Sequence, residues 1–89
     1  MYDRLDFHLD SMDTRAKLEQ QLKTQPPTEI AGAKVIDVLA IDGYKFRLDN
    51  DSWLIIRFSG TEPVLRLYSE APTVEQVKQN LQWAKTWAT

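Results

Sequence analysis

Apolar and polar residues alternate from the start of the chain: Leu5, Phe7 and Leu9 are separated by Asp6 and His8. A period of two predicts a half-buried strand. Asp10 and Ser11 then offer side-chain acceptors that cap a helix, with Asp13 and Thr14 in its first turn. Residues 12–23 favour helix by propensity. Leu18 and Leu22 stand four apart, and Met12 and Ala16 extend their stripe imperfectly. Pro26-Pro27 ends the helix, because proline lacks the amide that a helix interior needs. The stretch 25–32 reads as a linker.

Residues 34–42 are rich in Val, Ile and Leu and predict a strand apolar on both faces. Asp42-Gly43 follows, a strong hairpin signal between two strand-like runs. Tyr44, Phe46 and Leu48 alternate with Lys45, Arg47 and Asp49, and Asp49-Asn50-Asp51-Ser52 predicts a second turn. Residues 53–58 form the next strand and, after a loop of small residues, 64–71 form another. Thr73 opens the last helix, with Gln76 placed for a capping box. Val74, Val77, Leu81, Ala84 and Ala88 make one apolar stripe, facing a sheet. Trp83 and Trp87 flank it and read as the edge of the core, or else as a patch that docks on another domain. The pattern is therefore α+β, in the order β-α-β-β-β-β-α, with two helices on one face of an antiparallel sheet.

Composition narrows the function. With 89 residues, the chain is expected to be a single domain, 1–89. It has no cysteine, which excludes disulfides, thiolate metal sites and a cysteine nucleophile. Its one histidine, His8, reads as a rim residue rather than a general base. Asp3, Asp6, Asp10 and Asp13 read as solvated strand edges and helix caps, not as a cation site. A net charge of −2 argues against nucleic acid as a partner. No apolar run approaches the ~20 residues that span a bilayer, and the start is not that of a signal peptide, so the expected location is cytoplasmic, with no membrane partner. The chain opens directly in patterned sequence, as a piece of a longer protein would.

The chemistry concentrates in the run Arg57-Phe58-Ser59-Gly60-Thr61-Glu62-Pro63-Val64-Leu65-Arg66-Leu67-Tyr68-Ser69-Glu70. Gly60 leaves the backbone free to present successive N–H groups toward one point, as anion sites do. Ser59 and Thr61 add hydroxyl donors. Arg57 on the entering strand and Arg66 on the leaving strand bring permanently charged planar forks suited to phosphate oxygens. The same residues also describe an ordinary turn whose arginines pair with Glu62 and Glu70, and composition alone leaves both readings open.

This run resembles the phosphate-binding loop of the alpha-D-phosphohexomutases, the phosphoglucomutase and phosphomannomutase family. Every fixed position of the pattern R-x-S-G-T-E-P-x-x-R-x-Y-x-E is met. The resemblance continues backward through DGYKFRLDNDSWLIIR, which is similar to the bacterial bifunctional branch. It implies the family's C-terminal, fourth domain, with a TATA-binding-protein-like fold. It implies that Arg57, Ser59, Gly60, Thr61 and Arg66 hold the phosphate of a hexose phosphate, such as glucose or mannose 1- or 6-phosphate. Glu62 and Pro63 would shape the loop, and Glu70 would orient Arg66. The family's phosphoserine, its sugar-reading loop and the aspartates that hold Mg2+ belong to other domains, and their motifs do not occur here. The expectation is a domain with no catalytic or metal-ligating residue and no cofactor of its own. It would partner the other domains of the enzyme and grip the phosphate that is not reacting. The alternative is a free-standing module that binds sugar phosphates without attached catalytic domains. Nucleic-acid binding would rest on fold analogy alone.

Overall fold

A computed structural model describes residues 1–40 and 42–89. Its elements are β1 (Tyr2–His8), α1 (Met12–Thr24), β2 (Glu29–Ile30), β3 (Ala33–Leu39), β4 (Tyr44–Leu48), β5 (Trp53–Phe58), β6 (Val64–Glu70) and α2 (Val74–Trp87). The strands form one six-stranded sheet in the order β1-β6-β5-β4-β3-β2, with every neighbouring pair antiparallel. The α+β class and the two helices agree with the alternation and the stripes. The first strand begins three residues earlier than Leu5, and the stretch 25–32 is more than a linker. It contains β2, whose Ile30 is fully buried and which turns through Ala31 and Gly32, both at positive φ, into β3.

One face of the sheet carries the core. Phe46, Leu48, Leu54, Ile56, Leu65 and Leu67 project from β4, β5 and β6 into a cluster with Leu18 and Leu22 of α1 and Val77, Leu81 and Ala84 of α2. Burial of this kind contributes about 25 cal/mol per Å² of apolar surface and drives the assembly. Met12 and Ala16 stay exposed, so α1 buries only the Leu18–Leu22 pair. Val74 is also exposed, because the first turn of α2 extends beyond the core. Trp83 and Trp87 are half-buried against the core cluster, with rings stacked 6.3 Å apart. Both helices have the expected hydroxyl caps: Ser11 Oγ accepts from Thr14 N, and Thr73 Oγ1 from Gln76 N. The capping box is only half made, since the Gln76 side chain donates to Asn80 Oδ1 instead.

β3 differs most from expectation. It is apolar, yet Ile36, Val38 and Leu39 are exposed. Its outer neighbour β2 pairs only with Lys34 and Ala33, and α2 packs on β1, β6 and β5; Val35 still reaches the core, whereas Ile36, Val38 and Leu39 lie beyond this cover. The expected strand 34–42 also includes Ile41, which lies outside the described residues. The Asp42-Gly43 turn forms as expected, with Asp42 at φ 51° and Gly43 at φ 122°. A Cβ on Gly43 would stand 3.1 Å from the Ile56 carbonyl oxygen and 3.3 Å from Arg57 Cβ. This turn therefore needs glycine twice over, for its dihedral and for the close approach to β5.

Candidate phosphate site at the β5–β6 loop

Alternation along β5 and β6 places Arg57 and Arg66 on the sheet face away from the helices. Phe58 and Leu65, next to them, face the core. The β5–β6 register sets Arg57 directly opposite Arg66. Like charges facing each other across strands are destabilising. The compensation is partial: across the other seam β1 sets Asp6 opposite Arg66 on the same face. Arg57 meets Asp42 at 3.2 Å, but both side chains are about half or more exposed, and such a pair is worth about 0–1 kcal/mol. Among the described residues, Arg66 joins no ion pair. Neither arginine pairs with Glu62 or Glu70, so the reading of an ordinary turn neutralised by those glutamates fails. Glu70 does not orient Arg66 either: its carboxylate accepts from Trp53 Nε1 at 3.3 Å.

Between the strands, Ser59 N donates to the Val64 carbonyl and closes the loop. The Ser59 hydroxyl oxygen accepts from Thr61 N at 3.4 Å and Glu62 N at 3.3 Å. This corrects the expectation of successive amides aimed at a ligand, because the Thr61 and Glu62 amides turn inward to Ser59. The Gly60 amide donates to no described residue. Nor is Gly60 at positive φ, and a Cβ there would meet nothing within 4 Å. The absence of a side chain keeps the hollow open rather than relieving strain.

That hollow, about 250 Å³, is lined by Arg57, Phe58, Ser59, Gly60 and Arg66. Four of the five expected site residues therefore come together. Thr61 does not line it, although it sits in the same loop. The sequence reading missed Arg15, on α1. Its Nε donates to the Ser59 carbonyl at 2.8 Å, and its guanidinium lies over the Phe58 ring, 5.6 Å from the centroid. No local signal marks it, since the contact joins residues 44 apart in sequence. Among the described residues, no group of three His, Asp or Glu side chains is arranged to hold a metal ion.

Two arginines thus stand side by side at the mouth of a Ser-Gly-Thr loop. The family model for the phosphoglucomutase/phosphomannomutase C-terminal domain matches residues 14–82, which include most of α1, the loop and most of α2. The chain belongs to this family. It is 46% identical over 41 residues to a phosphopentomutase of Thermococcus kodakarensis, covering 46% of this chain and 9% of that protein. It is 39% identical over 54 residues to a phosphoglucomutase/phosphomannomutase of the same organism, covering 61% of this chain and 12% of that protein. It is 36% identical over 75 residues to a probable phosphomannomutase of Haemophilus influenzae, covering 76% of this chain and 16% of that protein. The chain thus spans under a fifth of the length of these curated relatives.

Proposed function

We propose that this phosphohexomutase-family domain grips the non-reacting phosphate of a sugar phosphate through Arg57, Ser59, Gly60, Thr61 and Arg66. The observation that carries the reading is the facing pair Arg57–Arg66 beside the loop hollow. A phosphate dianion between the two guanidinium groups turns their repulsion into two charge-assisted contacts. The Ser59 proton and the Gly60 amide are available to donate to the remaining oxygens. Each charge-assisted hydrogen bond is worth roughly 1.5–3 kcal/mol net, so a few of them hold a small anion despite the cost of ordering it.

The domain acts as part of a longer, cytoplasmic mutase, an isomerase that moves a phosphoryl group between C1 and C6 of a hexose. Remote binding energy at this loop orients the sugar while the chemistry proceeds elsewhere. Alone, the 89-residue chain is expected to be inactive, because the resemblance assigns no reacting group to it. Magnesium, implied for the full-length enzyme by the resemblance, finds no three-carboxylate group among the described residues. No helix is long and apolar enough to cross a membrane. The relatives are named for a pentose as well as for hexoses, and a grip on phosphate alone suits that breadth.

Titration with glucose 1-phosphate, followed at the backbone amides by NMR, tests the site. Saturable shifts centred on Ser59, Gly60 and Thr61 and competed by inorganic phosphate are the expected result. No shift at tens of millimolar ligand overturns a preformed site in this domain.

A further inference from the structure

A peptide unit is planar, and in its trans form the carbonyl and the following N–H point in opposite directions. None of the peptide bonds is cis. The direction of the Ser59 carbonyl therefore fixes that of the Gly60 amide. The Arg15 Nε–H takes this carbonyl at 2.8 Å from the side of α1. Arg15 is itself held, with its guanidinium over Phe58 and NH1 3.9 Å from Glu19, one helical turn on. Phe58 belongs to the core-facing side of β5, whereas Arg57 and Arg66 project from the other side. With the carbonyl drawn to Arg15, the trans peptide turns the Gly60 N–H away from that contact, and Gly60 lines the hollow together with Arg57 and Arg66. This N–H is also the loop amide left over, since those of Thr61 and Glu62 are spent on Ser59 Oγ.

We infer that Arg15 is a positioning residue for phosphate recognition. From α1 it locks the Ser59–Gly60 peptide plane and so presents the Gly60 amide to the ligand before the ligand arrives. The inference rests on the phosphate-binding reading above, but it assigns work to a residue outside the loop. A donor fixed in advance costs no ordering on binding, the general advantage of preorganisation.

Two variants and one measurement on the unsubstituted protein test it. Arg15→Met keeps an apolar stem over Phe58 and removes the donor. Arg15→Lys keeps the charge and removes the guanidinium fork. Both are expected to bind inorganic phosphate about two- to tenfold more weakly, the equivalent of one neutral hydrogen bond. Both are also expected to lose the phosphate-induced shift at Gly60 while keeping shifts at Arg57 and Arg66 Nε. Full affinity in both variants, or full rescue by lysine, overturns the inference and leaves the phosphate site standing. Failure of the unsubstituted protein to bind phosphate overturns the site itself. If either variant does not fold, residual dipolar couplings in the unsubstituted protein decide. A Gly60 N–H vector pointing toward α1 overturns the inference, and one pointing toward Arg57 and Arg66 supports it.

Discussion

At the end of the β5–β6 pair far from the loop, Trp53 donates to Glu70, and Ser69 Oγ donates to the Trp53 carbonyl at 2.8 Å. Behind them Asn80, fully buried in α2, donates to Ser52 Oγ and Ser69 Oγ and accepts from Gln76. No buried side-chain nitrogen or oxygen among the described residues is left without a partner. At the loop end, two permanent positive charges face each other, with Asp42 beside Arg57 and Asp6 opposite Arg66 on the neighbouring strand. The same two strands tie their buried polar side chains into one network at one end and set two like charges opposite each other at the other. Folded chains tolerate such local inconsistency chiefly where function needs it. The mismatch therefore argues for the proposed site better than the presence of arginine does.

Substitutions at the two ends should behave oppositely. Asn80→Ala removes a fully satisfied buried hub and leaves a cavity, and is expected to cost about 2–3 kcal/mol. That lowers the melting temperature by roughly 10–20 °C in a domain of this size, readable by thermal unfolding. Phosphate affinity of the folded chain should stay within about twofold. A melting point unchanged by this substitution would remove the satisfied end of the comparison.

Arg66→Met should split the two quantities. Phosphate binding is expected to weaken about tenfold or more, as a charge-assisted contact is lost. Stability should change by less than about 0.5 kcal/mol, because the repulsion from Arg57 and the attraction to Asp6, its two cross-strand neighbours, are lost together. Calorimetric titration and chemical unfolding measure the two effects. A stability loss above about 1 kcal/mol would mean that Arg66 is structural.

The smallest effect is expected at Gly60→Ala. With no neighbour within 4 Å of the added Cβ and no positive φ, stability should change by less than about 0.5 kcal/mol. Any loss should appear in phosphate affinity alone, since Gly60 lines the hollow.

Much of this arrangement was legible in the residues. Alternation at Tyr44, Phe46 and Leu48, the Asp42-Gly43 turn and the run from Arg57 to Glu70 placed β4, β5, β6 and the loop. They are legible because period-two patterning and turn chemistry are local. β2 was not, since two residues carry no period, and only Ile30 meeting the core makes them a strand. Asn80 was hidden by its own polarity. It falls three after Val77 and four before Ala84, on the buried face, but its partners Ser52 and Ser69 lie in other elements. Arg15 was hidden for the same reason. Exposure along β3 escaped a composition argument because Val and Ile describe a strand without saying what covers it.

The seven pairings of β1 with β6, from Tyr2↔Glu70 to His8↔Val64, carry a kinetic consequence. They close a loop of most of the chain, and such long-range pairing is slow compared with the local hairpins β3–β4, β4–β5 and β5–β6. Val64, the residue that receives the Ser59 amide, is flanked by His8 across this last seam. The hairpin that bears the arginines can thus form early, while the loop between them becomes rigid only when the first strand returns. Stopped-flow refolding is expected to show competence to bind phosphate arising no earlier than burial of Trp53, whose ring lies 6.3 Å from that of Tyr2 on the returning strand.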